Sequence, residues 1–184
     1  MLLYKITLHL KWKLKILLLK VLFGKHISVH WNDRIAFSVK VRINDDGKII
    51  IGENVEIREN VILNVSCGGI IRIGDSVFIS DGCCINSREL VQIDKETMLG
   101  QGVKIYDHDH DYHTVDMKEK FIHSAVMINE RVWICSDVIV LKGATIGKRS
   151  VIAAGTVVRR DVSPNVLCYA RREVNEKPIE IVQS

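Results

Sequence analysis

The chain has 184 residues, of which 47% are hydrophobic and 6% are aromatic. This length predicts a single domain with at most a terminal appendage, and the few aromatics indicate a core filled by aliphatic side chains. The five cysteines form no Cys-x-x-Cys pattern, and their odd number argues against a disulfide framework. The composition therefore excludes a small disulfide-stapled protein and favours a reduced, cytoplasmic setting.

Positive charge is concentrated at the start of the chain. Residues 1–42 contain nine lysines and arginines but one acidic residue, so this part carries +8 and the remainder −4. Because the rest of the chain is not basic, we expect no nucleic-acid partner. Lys11, Lys13, Lys15 and Lys20 interrupt the apolar run, which argues against a transmembrane helix and a signal peptide.

Residues 1–47 form a basic segment with a mixed pattern. Leucines alternate with polar residues over 8–16, as in a strand, whereas the apolar spacing over 16–23 suits a helix, and we predict a helix over much of 10–23. Two roles fit this composition. The segment could lie on an anionic membrane surface through its lysines and leucines, or it could cap the open end of the repeat domain that follows.

Residues 48–166 repeat an aliphatic residue every six positions. A period of six fits neither an amphipathic helix nor an alternating strand, but it suits a coil with three short sides that each turn one aliphatic inward. Small or β-branched residues such as Val55 and Ala144 follow four positions later, as tight corners require. The pattern predicts an all-β parallel β-helix of about five coils, with a polar tail over 167–184. The ladder residues are Ile51, Ile57, Leu63, Ile73, Ile79, Ile85, Ile93, Leu99, Ile105, Ile128, Ile134, Val140, Ile146, Ile152 and Val158.

One step of the ladder is much longer than the others. From Ile105 to Ile128 is 23 residues rather than six, so 17 residues are inserted at one corner, and the inserted loop spans 106–127. Insertions in solenoids project from one face and often build the binding site. This loop begins with alternating aspartates and histidines between Asp107 and His113, and we expect the chemistry here.

The residues alone leave three interpretations of these histidines open. One histidine could be a general base, since imidazole titrates near neutral pH and a neighbouring carboxylate can orient it. The cluster could instead bind a metal, although only His108 and His110 would share a face of an extended segment. The loop could also be a solvated polar segment with no chemical role. Long loops on rigid scaffolds usually carry function, which favours the first interpretation.

Several motifs resemble those of the maltose/galactoside O-acetyltransferase group. Besides the hexapeptide ladder, they are Ile-Tyr-Asp-His-Asp-His at 105–110, Val-Trp-Ile at 132–134, Gly-Ala-Thr-Ile-Gly at 143–147 and Ala-Ala-Gly-Thr-Val-Val at 153–158. More closely, the chain is similar to sugar O-acetyltransferases of capsule and exopolysaccharide pathways. The resemblance implies a left-handed β-helix, a homotrimer with active sites shared between subunits, and acetyl-CoA as acyl donor with no metal required.

By this resemblance, His110 matches the catalytic histidine. It would take the proton from a sugar hydroxyl as that oxygen attacks the thioester carbon. Asp107, Asp109 or a carbonyl oxygen would hold the ring in its tautomer, and His108 is the alternative base.

The acceptor sugar would bind near the root of the loop. Coil stacking should place Asn86 directly beneath Tyr106, with Ser80 and Asp81 on the preceding side of the same coil. We predict that these four residues contact the sugar, against the simpler interpretation that they are outward polar residues. Ser80 stands at a position where the family typically has asparagine.

The resemblance also implies residues that bind acetyl-CoA along the last two coils. These are Trp133, Ser136, Ala154, Arg159 and Arg160, of which the two arginines suit the phosphates of CoA. The chain departs from the family pattern at Cys135, at Lys142 and most strongly at 168–173, where Cys-Tyr-Ala-Arg-Arg-Glu replaces a Gly-x-Pro-Ala-Lys element near the adenine end. The adenine pocket must therefore be built differently.

We interpret the chain as an acetyl-CoA-dependent O-acetyltransferase that acts on a sugar hydroxyl. A polysaccharide precursor attached to lipid would give the basic segment a reason to touch the inner face of the membrane. The alternatives are acyl transfer to an amine or to serine, a metalloprotein like the γ-class carbonic anhydrases, and a non-catalytic β-helix scaffold. The ladder-with-histidine-loop combination favours the first interpretation.

Overall fold

The computed structural model describes residues 2–171, with side chains described for Thr7 and from His9 onward. Within this range the chain forms two helices, α1 (Leu2–Phe23) and the short 3-10 helix η1 (Gly24–His26), followed by 21 strands. All but two of the strands belong to three parallel sheets.

Successive strands pass from one sheet to the next, so each coil gives one strand to every sheet. The first sheet contains β1 (Ile27–Ser28), β4 (Lys48–Ile51), β7 (Ile70–Ile73), β10 (Leu90–Ile93), β15 (Val126–Ile128) and β18 (Thr145–Ile146). The second contains β2 (Arg34–Ile35), β5 (Glu56–Ile57), β8 (Phe78–Ile79), β11 (Met98–Leu99), β16 (Trp133–Ile134), β19 (Val151–Ile152) and β21 (Leu167–Cys168). The third contains β3 (Lys40–Ile43), β6 (Ile62–Val65), β9 (Cys84–Ser87), β12 (Lys104–Tyr106), β17 (Ile139–Val140) and β20 (Val157–Val158). The remaining strands, β13 (His108–His110) and β14 (Phe121–His123), pair with each other. The predicted parallel β-helix is confirmed.

The aliphatic ladder lines the core. Each predicted ladder residue is at most 3% exposed, and neighbouring coils align these residues directly, as where Ile105 pairs with Ile85 below it and Val140 above it. The small residues predicted at the corners are buried as well. Among them, Cys83 is fully buried, and burial raises the pKa of its thiol to about 11, as expected for an unreactive core cysteine.

The solenoid has six coils rather than about five, because one coil precedes the predicted start. β1, β2 and β3 pair in parallel with β4, β5 and β6, so the boundary predicted at 48 lies one coil too late. Val29, Ile35 and Val41 continue the six-residue ladder through this first coil. At the corner, however, Asp33 takes the position that Val55 occupies in the next coil, and this interrupts the apolar pattern.

Asp33 closes the corner of the first coil with its carboxylate. The side chain is 1% exposed and accepts hydrogen bonds from the backbone N–H groups of His30 at 2.7 Å and Val55 at 3.0 Å. Burial raises the pKa of Asp33, although these hydrogen bonds act in the opposite direction. A polar residue can therefore replace the corner aliphatic where it satisfies two backbone donors.

Gly74 lies at a corner where two coils come too close for a side chain. A Cβ atom at this position would lie 2.6 Å from Lys95 N and 3.0 Å from Asp94 C, both of which are backbone atoms. We expect Gly74→Ala to lower the free energy of unfolding by about 1–3 kcal/mol, because the coils must separate. In Gly82→Ala, nothing lies within 4 Å of the new Cβ, so that variant should be destabilised only by the strain of an alanine at positive φ. Urea unfolding of both variants checks this, and an equal loss would contradict it.

The helix α1 covers the N-terminal end of the solenoid. Ile16 and Leu19 are buried in the core, and Lys15 Nζ donates to the carbonyl oxygens of Phe37 at 3.1 Å and Val39 at 2.7 Å. The helix is longer than the predicted range 10–23, because leucine and lysine are strong helix formers and the packing outweighs the local alternation. In the described part of the chain, no helix is both long and apolar enough to cross a membrane.

The second sheet continues beyond the predicted end of the solenoid at 166. Leu167 pairs with Val151, and Val162 forms an isolated parallel bridge with Ile146. The six-residue period ends at Val158, but backbone pairing requires only an extended chain and continues without it. The predicted tail therefore begins later than 167, and its part from 172 to 184 lies outside the described residues.

Candidate active site

The inserted loop is a β-hairpin. β13 and β14 run antiparallel with His110 opposite Phe121, and the base is closed by a hydrogen bond from Ser124 N to Asp107 O at 2.8 Å. Because β12 precedes the hairpin and β15 follows it, the hairpin leaves the solenoid between the third sheet of the fourth coil and the first sheet of the fifth. The predicted long insertion is thus an ordered element.

Asp107 anchors the hairpin to the coil below. Its side chain is fully buried and accepts hydrogen bonds from Ser87 Oγ at 2.7 Å and from the backbone N–H groups of Arg88 at 2.9 Å and Glu89 at 2.8 Å. His108 Nδ1 lies 2.8 Å from the same carboxylate. Burial raises the pKa of Asp107, but the hydrogen bonds outweigh it and hold that pKa below its ordinary value.

His108 is the partner of this carboxylate. With its Nδ1 at Asp107, the side chain is only 19% exposed and its ring meets the edge of Phe121 at a centroid distance of 5.7 Å. Asp107 was predicted as one of three groups that could orient His110. The structure instead pairs it with His108 and with backbone amides, so Asp107 supports the root of the hairpin.

His110 is held by a carbonyl oxygen, one of the predicted alternatives. Its Nδ1 lies 2.8 Å from Met117 O, so Nδ1 carries the proton and donates it, which leaves the Nε2 lone pair free to accept. The ring stacks at a tilt on Phe121, with centroids 4.3 Å apart. His110 is exposed on the hairpin, where a substrate can reach Nε2.

Charged contacts fix the hairpin to its surroundings. The Arg88 guanidinium lies 3.4 Å from the centroid of Phe121 in a cation–π contact. His123 Nδ1 lies 2.9 Å from Glu89 Oε2, and Lys142 Nζ contacts the Asp109 carboxylate. Lys142 is one of the departures from the family pattern, and here it tethers the strand that carries both histidines.

The predicted acceptor residues lie where coil stacking suggested. Asn86 pairs directly with Tyr106 and accepts a hydrogen bond from Asn64 in the coil below at 3.0 Å. Burial raises the pKa of Tyr106. Ser80 follows β8, and the next residue, Asp81, accepts a hydrogen bond from Glu59 N at 2.9 Å. Asp81 is therefore tied to the corner of the coil below, whereas Asn86 and Tyr106 lead directly into the hairpin.

The residues implied for acyl-donor binding occupy the last coils. Ser136 lies one coil below Ala154, since Gly155 N donates to Ser136 O at 3.0 Å. Trp133 is half exposed on the second sheet. Arg159 and Arg160 line a cavity of about 610 Å³ at the C-terminal end of the solenoid.

That cavity extends to the altered C-terminal element. Its other walls include Thr156, Val166, Cys168 and Tyr169, so the start of the segment that departs from the family pattern lies next to the two arginines. Asp161 also lines the cavity, but the two arginines outnumber it, and together with the apolar wall they suit an anionic, partly apolar ligand. A second cavity, of about 650 Å³, lies at another corner between Asp94 and Lys148, and no hairpin residue lines it.

The described residues include no group of three or more histidine, cysteine or carboxylate side chains that could hold a metal ion. His108 and His110 do contact the same ring, Phe121, as expected for alternate residues of one strand. Their Nδ1 atoms, however, are each engaged by a different acceptor.

Sequence reasoning missed Arg88, Glu89, Met117 and Phe121. The first two could have been found, because the stacking rule that put Asn86 beneath Tyr106 also puts the next residues beneath the start of the hairpin. Met117 and Phe121 carry no such signal. Their positions depend on how the hairpin pairs, and the loop sequence does not fix that register.

Comparison with known proteins gives a consistent result. The family described as bacterial transferase hexapeptide (six repeats) matches residues 125–160. A protein of Escherichia coli K12 named as the lipopolysaccharide biosynthesis O-acetyltransferase WbbJ is 34% identical over 135 residues, which cover 68% of this chain and 69% of that protein. The galactoside O-acetyltransferase of the same organism is 31% identical over 133 residues, covering 69% of this chain and 64% of its own length.

A solved structure extends the similarity to three dimensions. The hexapeptide-repeat acetyltransferase VCA0836 of Vibrio cholerae, crystallised with acetyl-CoA, superimposes with a TM-score of 0.59 at 30% identity and covers 65% of each chain. The parallel β-solenoid is the fold that this superposition supports. The chain therefore belongs to the bacterial hexapeptide-repeat transferase family, as an acetyltransferase with the left-handed β-helix fold.

Proposed function

We propose that the chain is an acetyl-CoA-dependent O-acetyltransferase that acts on a sugar hydroxyl of a saccharide or polysaccharide precursor. The observation that carries this proposal is the state of His110. Its Nδ1–H is committed to Met117 O at 2.8 Å, so that in the neutral ring Nε2 is the nitrogen that can accept a proton, and the exposed side chain presents it from an anchored hairpin. The relatives named for lipopolysaccharide and galactoside acetylation support a sugar as acceptor.

His110 acts as the general base. A free hydroxyl is a poor nucleophile at neutral pH, so Nε2 accepts its proton as the oxygen attacks the thioester carbonyl carbon of the donor. The carbon–sulfur bond then breaks, and the imidazolium returns the proton to the departing thiolate. Throughout this cycle Met117 O stays hydrogen-bonded to Nδ1–H, and it stabilises the ring most when that ring is charged.

His108 is better suited to support than to act as the base. It is mostly buried, its Nδ1 is held by Asp107, and that carboxylate is shared with Ser87 and two backbone amides. A histidine at the foot of the hairpin stabilises the strand on which His110 is carried. The Asp107–His108 pair therefore positions the catalytic residue.

The acyl donor would be held by Trp133, Ser136, Ala154, Arg159 and Arg160. The arginines and their cavity suit the phosphates of CoA, and small residues stacked at Ser136 and Ala154 leave room for an extended arm. The acceptor would contact Asn86 and Tyr106 at the root of the hairpin, with Ser80 and Asp81 on the preceding side. Acetyl-CoA supplies the acetyl group when bound.

We infer a homotrimer with active sites between subunits. On the outer surface of the second sheet, Phe78, Met98, Trp133, Val151 and Leu167 stand in register on successive coils. Met98, Trp133 and Leu167 are 47%, 48% and 61% exposed. A continuous apolar column of this kind favours burial between copies of the chain, and sedimentation velocity checks the stoichiometry.

The proposed setting is the cytoplasm, with peripheral contact at the inner face of the membrane. The free cysteines Cys67, Cys83, Cys84, Cys135 and Cys168 fit a reducing compartment.

The experiment that tests the function is thiol release from acetyl-CoA by the purified chain. We expect slow hydrolysis alone and faster release with one class of saccharide, with mass spectrometry of the product identifying an acetyl ester. Amine acceptors and serine provide the comparison for N- and serine acyl transfer. If neither binding of acetyl-CoA nor thiol release occurs, the proposal is overturned.

Phe121 should affect turnover through the position of His110. Replacing it by alanine removes the ring that both histidines and Arg88 contact, and we expect kcat to fall about 10- to 100-fold, since small misplacements of a catalytic group are costly. KM for acetyl-CoA should change little. Phe121→Tyr retains the ring and should remain active, and Ile122→Ala is a matched control at the next, half-exposed position. An equal loss in Ile122→Ala would point to general disruption of the hairpin.

A further inference from the structure

We propose that the outer face of α1, formed by Leu10, Leu14, Leu17, Leu18 and Val21, is a docking surface for an anionic lipid bilayer. These side chains are exposed by 67%, 49%, 47%, 37% and 73%. Five large aliphatic residues on one face of a helix cannot be left in water without cost, and the neighbouring Leu22 is 71% exposed as well. This inference is independent of the proposed catalytic function.

The helix has two apolar faces on opposite sides. At about 100° per residue, the five outer residues cover an arc of about 100°, which is the width of an interfacial apolar stripe. The buried residues Ile16 and Leu19 lie roughly opposite this arc and pack into the solenoid. Because one apolar face already covers the end of the coil, the second face requires a different partner.

Lysines border the outer face on both sides. Lys13 and Lys20 project on one flank and Lys11 on the other, by the same helical spacing. No acidic residue occurs before Asp33, which is itself buried. Aliphatic side chains flanked by lysines are the arrangement in which a helix lies in the plane of a membrane with its cations at anionic headgroups.

Exposed aromatic side chains lie beside α1, one on each side of the helix. Trp31 and Phe37 are 52% and 51% exposed, and each is paired with a lysine of the helix: Lys20 lies 5.1 Å from the Trp31 ring centroid and Lys15 5.5 Å from that of Phe37. Tryptophan and lysine side chains are favoured at the boundary between lipid and water. Aliphatic, lysine and aromatic side chains, which are favoured at such a boundary, therefore lie on and beside the outer face of α1.

A bilayer fits this face better than a second copy of the chain does. In a symmetric contact between two such helices, the lysine rows on both flanks would face each other, and like charges repel. Anionic headgroups neutralise the same lysines while the acyl chains receive the leucines. The lysines on both flanks therefore favour an anionic lipid surface over a second copy of the chain.

Vesicle flotation of the full chain tests this. We expect the wild type to float with phosphatidylcholine vesicles that contain one-third phosphatidylglycerol, but not with phosphatidylcholine alone. Binding should weaken strongly at about 1 M salt, where the screening length falls to about 3 Å. No flotation of the wild type at about 0.15 M salt, the physiological ionic strength, would overturn the proposal.

Two variants separate the apolar and the charged contributions. In Leu14→Gln/Val21→Gln, we expect at least about 100-fold weaker binding, from the loss of two buried aliphatic side chains. In Lys11→Gln/Lys13→Gln we expect about 30-fold weaker binding. Val115→Gln, at a fully exposed aliphatic residue of the hairpin, is the matched control and should bind like the wild type.

The melting temperature of each variant shows whether its fold is intact. All four substituted positions lie off the buried face of α1, so we expect little change. If the leucine variant is destabilised, the lysine variant and the salt series still decide the question. Unchanged flotation in both variants would overturn the proposal. So would loss of self-association, rather than of vesicle binding, in the leucine variant, because a second copy would then cover this face.

Discussion

Replacement of His110 by alanine is expected to lower acetyl transfer by about 10²- to 10⁴-fold, the contribution typical of a general base. The affinity for acetyl-CoA should be unchanged, because the residues proposed to hold the donor lie on the last coils and not on the hairpin. His110 Nδ1 is tied to Met117 O at 2.8 Å, so the variant removes the one nitrogen of this ring that can accept the hydroxyl proton. Thiol release and isothermal titration with acetyl-CoA measure the two quantities.

His108→Ala is the matched control in the same strand. It removes an imidazole whose Nδ1 contacts Asp107 at 2.8 Å, and we expect a smaller loss of activity together with a lower melting temperature. The opposite ranking, with His108→Ala the more damaging variant at unchanged stability, would make His108 the base. Loss of CoA binding in His110→Ala would mean that the hairpin also forms part of the donor site.

The architecture could be predicted because the side chains that face the core recur every six residues along the sequence. Every coil must place an aliphatic residue inside each of its three sides, so the six-residue period survives in the sequence. The same stacking predicted that Asn86 would lie beneath Tyr106, which the pairing of β9 with β12 confirms. The start of the solenoid was predicted one coil too late, because Asp33 satisfies two backbone donors where the other coils carry a small or apolar residue.

The inner geometry of the site could not be predicted to the same extent. The hairpin contacts of His110 depend on the pairing of β13 with β14, and nothing in the alternating aspartates and histidines fixes which residue of the return strand lies opposite. Asp107 was one of three groups predicted to orient His110, and the sequence could not choose among them. The buried carboxylate binds Ser87, His108 and backbone amides of the coil below, whereas a carbonyl oxygen holds His110.

Replacement of Asp107 by asparagine should destabilise the protein by about 2–4 kcal/mol, because a buried ionised acceptor with several donors is lost. The new amide nitrogen would face at least one N–H or O–H donor among Ser87, Arg88, Glu89 and His108. Asp109→Asn is the control two residues along the same strand. That carboxylate is half exposed and paired with Lys142, so its loss should cost at most about 1 kcal/mol. Urea unfolding at one protomer concentration measures both.

The pH dependence of the stability difference between wild type and Asp107→Asn tests whether Asp107 is charged in the folded protein. The folded pKa of Asp107 is lowered: burial raises it, but the hydrogen bonds from His108, Glu89, Arg88 and Ser87 prevail. At a pH between the folded pKa and the unfolded pKa of about 3.9, the unfolded chain binds more protons than the folded protein. The stabilisation that ionised Asp107 gives to the fold is therefore complete above that range and is lost as the pH falls through it. The gap between wild type and Asp107→Asn should therefore be constant near neutrality and narrow below about pH 4. A gap of the same size at acidic and neutral pH would mean that the buried group is protonated throughout, and that the hairpin is anchored by a neutral acid instead of a carboxylate.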